Sequence, residues 1–452
     1  MDSTLRIAFE AATDFLDNLD RTSIAPTADL SSLRARLGGE LPYEGIEPDQ
    51  VIRELVTAVH GGIMGSASGR FFAWVVGGAL PAATAADWLT SVWDNNAAIY
   101  SSGPAAAVVE EVAGAWLKQI LGIPERAGFA FVTGCQMANC TCLAAARHAV
   151  LAKHGWNVAE RGLFGAPPIR VFTTAHPHGA IDRALRLLGF GTASVGCLYD
   201  MGELETEGPA IVILQAGEIN TGSFDPFETL ISIAKRHGAW VHVEGAFGLW
   251  AAASPQYRHL LSGVEAADSW ATDGHKWLNV PFDCGYAFIA DESAHRAATS
   301  FRAGYLVHST EARDQIDWNP EWSRRARGFP TYAALRQLGR KGVGDLVERC
   351  CRHAHTLATA IGRLPGAELV CEPILNQGLV RFLDQNGSDH DHRTDEVIAA
   401  INRTGEAFFT GTNWEGHRAM RVSVCNWRTS DEDVSRTLSC VRKVLAFERC
   451  PQ

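Results

Sequence analysis

The chain has 452 residues and a formal net charge of −11, with 51 acidic and 40 basic side chains. This surplus of acidic groups argues against nucleic acid or an anionic membrane as a partner. The N-terminus lacks the basic and apolar regions of a signal peptide, and no apolar run is long enough to span a membrane. The 11 cysteines show neither a disulfide framework nor a zinc-binding spacing. We therefore expect a cytoplasmic protein with reduced thiols and no metal site.

The predicted elements divide the chain into three parts. Residues 1–65 are predicted to be a helical segment that packs on a partner subunit. In residues 66–320, strand-like runs alternate with helix-like runs, which predicts a large α/β domain with a mostly parallel central sheet. Residues 321–452 are predicted to form a smaller C-terminal α+β domain. The predicted strands of the large domain include residues 129–133, 170–174, 210–215 and 239–243.

Lys276 is the strongest single indication of chemistry in the sequence. It is one of only six lysines, against 34 arginines, and lies between His275 and Trp277 just after a strand-like run. A lysine with its stem among aromatic side chains is poorly hydrated, and desolvation lowers its pKa. A low pKa favours an amine that forms imines, which indicates pyridoxal phosphate as the carbonyl partner. The alternative is a surface lysine of which only the stem is buried.

A phosphorylated aldehyde cofactor also needs an anion cradle, an acid near its pyridine nitrogen and a group against its ring. Residues 133–136 offer the cradle, because Gly134 permits a tight turn and the N–H groups of the following helix attract an anion. Glu244 lies at the carboxyl end of a predicted strand, where α/β sheets bind ligands. His176 and His178 are both candidates for the ring face. The alternatives are an ordinary strand–helix turn, an acid that accepts a main-chain hydrogen bond, and structural histidines.

The sequence around the lysine resembles that of one family. Residues 242–244 (His-Val-Glu) and 273–284 (Asp-Gly-His-Lys-Trp-Leu-Asn-Val-Pro-Phe-Asp-Cys) are similar to the group II pyridoxal-phosphate decarboxylases. That family includes the aromatic-L-amino-acid, histidine and glutamate decarboxylases, and the resemblance extends from residue 71 to residue 421. It implies pyridoxal 5′-phosphate as cofactor and the fold-type I pyridoxal-phosphate-dependent transferase fold. It also implies a homodimer with the active site at the subunit interface.

The resemblance assigns roles to individual residues. Lys276 forms the imine with the cofactor, and His178, in preference to His176, stacks on its ring. Tyr305, 29 residues after Lys276, belongs to a segment similar to the family's mobile catalytic loop and would protonate Cα. The further residues implied at the cofactor are Gly134, Cys135, Gln136, Glu218, Glu244, Ala246, Asp273 and His275. Those implied at the substrate, some across the dimer interface, are Trp74, Val75, Gly77 and Tyr100.

Three residues depart from the family pattern. Glu244 stands where the family carries aspartate, and its extra methylene moves the carboxylate outward by about 1.5 Å, the length of one C–C bond. Gln136 replaces a small hydroxyl residue near the phosphate. Glu218 is an acid at a position that is usually neutral, where it would repel a substrate carboxylate or the phosphate unless it is protonated or turned away. It could instead recruit a substrate that carries an amine.

Together these features predict a pyridoxal-phosphate-dependent carboxy-lyase that converts an L-amino acid to the amine. Trp74 and Tyr100 favour a substrate with an apolar or aromatic side chain. One alternative is oxidative decarboxylation–deamination to an aldehyde, or another reaction such as C–C bond formation, although Tyr305 favours the amine. The other alternative is a non-catalytic regulatory protein. The three departures favour it, whereas Lys276 and Tyr305 argue against it.

Overall fold

The computed structural model describes residues 3–193, 195–198, 208–301, 312–384, 387 and 389–447. Backbone contacts group the chain into two compact units. The large unit comprises Gly77–His355 and Pro373–Gln377, and the small unit comprises Met1–Val76, Thr356–Glu372 and Gly378–Gln452.

A seven-stranded sheet forms the centre of the large unit. Its strands are β1 (Gly128–Val132), β2 (Arg170–Thr173), β3 (Gly196–Cys197), β4 (Ala210–Gln215), β5 (Trp240–Glu244), β6 (Ser269–Asp273) and β7 (Gly285–Ile289). Their order in the sheet is β1-β7-β6-β5-β4-β2-β3. The four neighbouring pairs from β3 to β6 are parallel, and β7 is antiparallel to both β1 and β6. The predicted α/β class with a mostly parallel sheet is confirmed.

The central sheet lies inside the large unit, and its strands β1, β4, β5, β6 and β7 are buried at every residue. Such continuous burial is typical of strands that are covered on both faces. The helices in chain order are α1 (Ser3–Asn18), α2 (Leu30–Leu37), α3 (Pro48–Ala58), α4 (Pro81–Trp93), α5 (Pro104–Leu121), α6 (Cys135–Ala152), α7 (Val158–Arg161), α8 (Gly179–Leu187), α9 (Phe227–Arg236), α10 (Glu292–Thr299), α11 (Gly328–Gly362), α12 (His390–Arg403) and α13 (Asp431–Phe447). None of these described helices is long and apolar enough to cross a membrane.

Helix α6 is the element that connects the core to the site. Ala138, Ala145 and Ala146 are fully buried and belong to the main apolar cluster. Because these side chains are small, the helix lies close to β5, β6 and β7. Only two residues lie between the end of β1 and Cys135, the first residue of the helix. The N-terminus of α6 is therefore placed at the edge where β1 ends.

The small unit contains a second, four-stranded sheet. Its strands are β8 (Ala367–Cys371), β9 (Gln377–Phe382), β10 (Thr410–Trp414) and β11 (His417–Ser423), in the order β10-β11-β9-β8. Main-chain hydrogen bonds join the N-terminal residues to this part of the chain, from Ile24 N–H to the Gly405 oxygen and from Phe72 N–H to the Phe408 oxygen, both 2.9 Å. Residues before 77 therefore group with the C-terminal residues. The three-part division at residues 65 and 320 stays a prediction.

Candidate active site

The predicted site residues lie at one edge of the central sheet. Strands β1, β4, β5 and β6 run in the same direction, because β7 lies between β1 and β6 and is antiparallel to both. A cavity of about 490 Å³ opens where these strands end, as expected for the ligand site of an α/β sheet. The cavity is lined by Thr133, Gly134, Cys135, Gln136, His178, Gly179, Ala180, Arg183, Glu244, Ala246, Asp273, His275 and Lys276.

The main chain fixes Lys276 at the cavity through a turn that follows β6. Asn279, whose φ is 53°, donates its side-chain amide to the Trp277 carbonyl oxygen (2.8 Å) and accepts from Gly78 N–H (2.7 Å). A Cβ at Gly77 would collide with the Lys276 carbonyl oxygen, so only glycine fits there. Gly77 thus lies against the main chain of the lysine, and its predicted contact with substrate stays a prediction.

The Lys276 amine is held as a cation by acids around it. Its Nζ lies 3.3 Å from Asp273 Oδ2 and 5.9 Å from the centre of the Phe247 ring, and the side chain is 16% exposed. Burial is the largest single influence on its pKa and lowers it, but the charges of Asp273 and Glu244 and the hydrogen bond to Asp273 act against burial, and the pKa is raised above 10.5. The sequence argument for a lowered pKa was therefore wrong, because it considered desolvation without the neighbouring acids.

Asp273, the last residue of β6, links the lysine to helix α6. Its Oδ1 accepts Cys135 N–H (2.6 Å) and lies 3.3 Å from His275 Nε2. The His275 Nδ1 accepts Cys284 N–H (3.1 Å), so a neutral ring carries its proton on Nε2 and donates it to Asp273. Burial lowers the pKa of His275, which favours this neutral form. Asp273 thus holds three neighbouring groups of the cavity in place.

The N-terminus of α6, the predicted anion cradle, lies at the cavity. A Cβ at Gly134 would lie 3.0 Å from His275 Cε1, so a larger residue would press on the histidine ring. Gln136, in the first turn, lines the cavity and its Nε2 lies 3.6 Å from the Cys140 sulfur. The first N–H groups of an 18-residue helix attract an anion such as a phosphate. The turn and the helix N-terminus lie at the cavity, and their role as an anion cradle, with the part played by Gln136, stays a prediction.

Glu244 ends β5 at the cavity and is almost fully buried. Its Oε1 accepts Ala246 N–H (3.1 Å) and the Cys135 thiol (3.5 Å). Burial and the nearby acids raise the pKa of Cys135 well above its usual value, so the thiol stays protonated and acts as the donor. Both hydrogen bonds end on Oε1. Oε2 accepts none of the hydrogen bonds among the described residues, so it is the oxygen that a ligand in the cavity could reach.

His178, not His176, lines the cavity. It precedes α8, and its Nδ1 accepts Ala180 N–H (3.2 Å), which leaves Nε2 to carry the proton of a neutral ring. His176, two residues earlier, is exposed. The position of His178 agrees with the choice made from the family resemblance, and its stacking on a cofactor ring stays a prediction.

Glu218 does not line the cavity. Its Oε2 accepts the N–H groups of Asn220 (2.8 Å) and Thr221 (2.7 Å) and the Thr221 hydroxyl (3.0 Å), and its Oε1 accepts the Asn220 side-chain amide (2.7 Å). The carboxylate is thus turned into its own loop and saturated by four donors. These local donors account for its absence from the cavity lining, and its predicted contact with the cofactor stays a prediction.

Tyr100 is not among the residues that line the cavity. Trp74 and Val75 belong to the small unit. Tyr100 lies in a 3₁₀ helix and is 36% exposed, and its N–H donates to Asp314 Oδ1 (2.8 Å). Tyr305 and the segment around it lie outside the described residues. The roles of all four stay predictions.

Sequence reasoning missed Arg183, which lines the cavity from α8. The arginine follows Gly179 and Ala180, which also line it, by four and three residues. Residues three and four apart share one face of a helix. Neither Gly179 nor Ala180 was a predicted site residue, so this spacing gave no signal for Arg183 in the sequence.

A family model for the pyridoxal-dependent decarboxylase conserved domain matches residues 32–383, and the chain belongs to this family. It is 26% identical over 464 residues to aromatic-L-amino-acid decarboxylase from Bacillus atrophaeus, covering 98% of this chain and 94% of that protein. It is 23% identical over 470 residues to phenylacetaldehyde synthase from a Rosa hybrid cultivar, covering 95% and 90%. The crystal structure of Oryza sativa TDC with PLP and tryptamine matches with a TM-score of 0.91, 23% identity and coverage of 99% and 98%, which confirms the fold.

The protein is therefore a pyridoxal-phosphate-dependent carboxy-lyase, and the predicted family, cofactor and enzyme class are confirmed. The residues around the cavity fit this cofactor. The Lys276 amine lies beside the carboxylate of Asp273, the last residue of β6. The N-terminus of α6 lies at the same cavity. The buried acid Glu244 lines the cavity and receives both of its hydrogen bonds on Oε1, so Oε2 could pair with a protonated ring nitrogen.

Proposed function

We propose that the protein decarboxylates an L-amino acid with an apolar or aromatic side chain and releases the amine. The observation that carries the proposal is the single cavity of about 490 Å³ that contains both the Lys276 amine and the Glu244 carboxylate. The Bacillus relative, an aromatic-L-amino-acid decarboxylase at 26% identity, supports both the reaction and the class of side chain. Trp74 and Tyr100 are the aromatic residues that we propose for the substrate pocket.

When bound, pyridoxal phosphate accepts the electron pair released as the Cα–carboxylate bond breaks. Lys276 provides the amine that binds the cofactor, and Glu244 would hold a proton at the ring nitrogen through its free oxygen. The N-terminus of α6 would hold the phosphate. His178 would cover one ring face, and Tyr305 would deliver the proton to Cα.

Aldehyde formation is the second candidate function. The phenylacetaldehyde synthase of Rosa, 23% identical over most of the chain, favours it, whereas Tyr305 favours the amine. We expect Tyr305→Phe to keep the cofactor but to lower amine formation and raise aldehyde and peroxide, because oxygen competes when the proton donor is absent. Amine, aldehyde and peroxide are measured on the same samples. Unchanged amine formation would exclude Tyr305 as the proton donor.

We also propose a homodimer with the active site at the subunit interface. Apolar side chains on the N-terminal helices are open to solvent in the single chain: Leu5, Phe9 and Leu16 of α1 are 50%, 49% and 38% exposed, and Leu55 of α3 is 49% exposed. Exposed apolar surface of this kind marks protein interfaces. Light scattering should give twice the chain mass, and Phe9→Glu should shift it toward the monomer. A monomeric wild-type protein would contradict the proposal.

Lys276→Ala tests the function directly, with Lys341→Ala as the matched control because Lys341 is 87% exposed. A panel of amino acids is assayed for carbon dioxide, amine and aldehyde. We expect Lys276→Ala to lose turnover together with the covalent, borohydride-fixable attachment of the cofactor, and Lys341→Ala to retain both. Fixed cofactor in Lys276→Ala, or no carbon dioxide from any amino acid with wild type, would contradict the proposal.

A further inference from the structure

The glutamate that replaces the family's aspartate is fixed by a thiol. Cys135 Sγ and Ala246 N–H converge on Glu244 Oε1, at 3.5 Å and 3.1 Å. We propose that Cys135 is a positioning residue, whose thiol holds the longer arm of Glu244 so that Oε2 faces the cofactor ring nitrogen. This inference rests on the proposed role of Glu244. It gives the Cys135 side chain a different task from the phosphate contact that the family resemblance implies.

The packing of α6 against β5 places the Cys135 thiol next to the Glu244 carboxylate. One helical turn after Cys135, Asn139 Oδ1 lies 2.9 Å from His242 Nε2, and His242 lies two residues before Glu244 on the same face of β5. The His242 Nδ1 lies 2.9 Å from the Ser269 hydroxyl of the neighbouring strand. Asn139, His242 and Ser269 are all fully buried. The helix is therefore tied to the strand at two successive points, the second being the thiol–carboxylate contact.

The thiol is in the state that this role requires. Burial, followed by the charges of Glu244 and Asp273, raises the pKa of Cys135 well above its usual value, so the sulfur carries a proton at neutral pH. The Cys135 main-chain N–H donates to Asp273 Oδ1 at 2.6 Å. One residue thus contacts both acids of the cavity, through its backbone and its side chain. A thiolate in this place would instead repel both carboxylates.

The length of the glutamate arm makes the contact testable. An aspartate at position 244 would draw its carboxylate back by about 1.5 Å, one C–C bond length. The thiol already lies 3.5 Å from Oε1, so it would no longer reach the shorter arm. The thiol should therefore matter when residue 244 is glutamate and matter little when it is aspartate.

A double-mutant cycle on the full-length protein measures this dependence. Cys135→Ala, Glu244→Asp and the double variant are compared by the cofactor dissociation constant and by the pH at which the absorption of the bound cofactor changes. We expect Cys135→Ala to weaken cofactor binding about tenfold beside Glu244, as for loss of one hydrogen bond to a charged group, and to shift that pH. In the Glu244→Asp background it should change binding by less than about twofold. Cys135→Ser keeps a donor and should bind within about threefold of wild type.

Cys142→Ala is the matched control, because Cys142 is a fully buried thiol two turns further along α6. Its sulfur contacts the main-chain oxygens of Trp270 (3.5 Å) and Phe288 (3.7 Å) and does not line the cavity. Removing it should lower stability but leave the cofactor dissociation constant and the spectral pH unchanged. Equal losses from Cys135→Ala in both backgrounds would assign Cys135 to packing and overturn the proposal.

The proposed function and the positioning role fail in different ways. If Glu244→Ala binds cofactor as tightly as wild type, Glu244 is not the partner of the ring nitrogen and both ideas fall. If Glu244→Ala binds weakly but Cys135→Ala and Cys135→Ser behave as wild type, the function of Glu244 stands and only the positioning role of Cys135 is overturned.

Discussion

Glu218 and Glu244 lie near the ends of neighbouring parallel strands, yet they are held in opposite ways. Gln215, the last residue of β4, pairs in register with Glu244, the last of β5, and Glu218 follows three residues later. The Glu218 carboxylate is saturated by four donors from its own loop. The Glu244 carboxylate receives two, both on Oε1. The loop after β4 thus supplies donors to both oxygens of Glu218, whereas the donors to Glu244, from its own loop and from α6, all reach Oε1.

Replacing Glu244 or Glu218 singly by alanine should give the largest difference in turnover between two variants. We expect Glu244→Ala to lower turnover about a thousandfold, because a preorganised partner of developing charge contributes on that scale. It should also weaken cofactor binding, since a charge-assisted hydrogen bond is lost. Turnover and cofactor affinity are measured beside Glu218→Ala, for which both should stay near wild type. Equal losses in the two variants would show that the comparison between these acids is mistaken.

Glu218→Ala, which should leave turnover near wild type, should instead lower the stability of the fold. Glu218→Ala leaves the N–H groups of Asn220 and Thr221 without their buried acceptor. We expect the free energy of unfolding to fall by about 3 kcal/mol, the order of the penalty for buried donors that lose a charged acceptor. Chemical unfolding, followed by fluorescence, measures the change. If Glu218→Ala unfolds with wild-type stability, the hydrogen bonds of the loop do not restrain the acid.

The sequence indicated which residue types follow the strands better than it indicated where each side chain points. Strand-like runs and the run around Lys276 were sufficient to predict the α/β fold, and they singled out Lys276, the turn before α6 and Glu244, which line one cavity. They could not predict that Glu218 turns away, because its four partners depend on the conformation of the loop. They also gave the wrong sign for the pKa of Lys276, since Glu244 approaches it only in three dimensions and the charge of Asp273, three residues earlier, was left out.

The missed arginine has a similar cause. Arg183 is one of 34 arginines, and only the orientation of α8 brings it to the cavity. Tertiary packing fixes that orientation, and helix periodicity alone does not. Pattern reasoning therefore identifies residues next to the motif more readily than residues contributed by a separate helix.

Low pH should destabilise the protein through His242, which lies on the same strand as Glu244. Burial lowers the pKa of His242 to about 3 from 6.5, so the folded protein keeps this ring neutral while the unfolded chain protonates it. The stabilisation is complete above pH 6.5 and is lost as the pH falls from 6.5 toward 3. Between pH 7 and pH 5 this group alone should lower the free energy of unfolding by about 2 kcal/mol.

His242→Gln, which cannot titrate, is the variant that isolates this effect. The unfolding free energy of wild type and variant is compared at pH 7 and pH 5, and the fall should be smaller in the variant. Some acid sensitivity should remain, because burial also lowers the pKa of His295 to about 3. An identical fall in both proteins would show that His242 does not contribute.

Glu244→Asp should have the smallest effect, and it tests what matters about this acid. The charge is kept, so the aspartate can still pair with a protonated ring nitrogen, but the arm is shorter by about 1.5 Å. We expect cofactor binding to be retained and turnover to fall by less than about tenfold, well short of the loss in Glu244→Ala. Amine and aldehyde are measured together, with Glu218→Asp as the control at the other strand end. A loss as large as that of Glu244→Ala would mean that the reach of the side chain matters more than its charge. In that case the thiol of Cys135 and the N–H of Ala246, which fix the end of the longer arm, are as necessary to the site as the carboxylate itself.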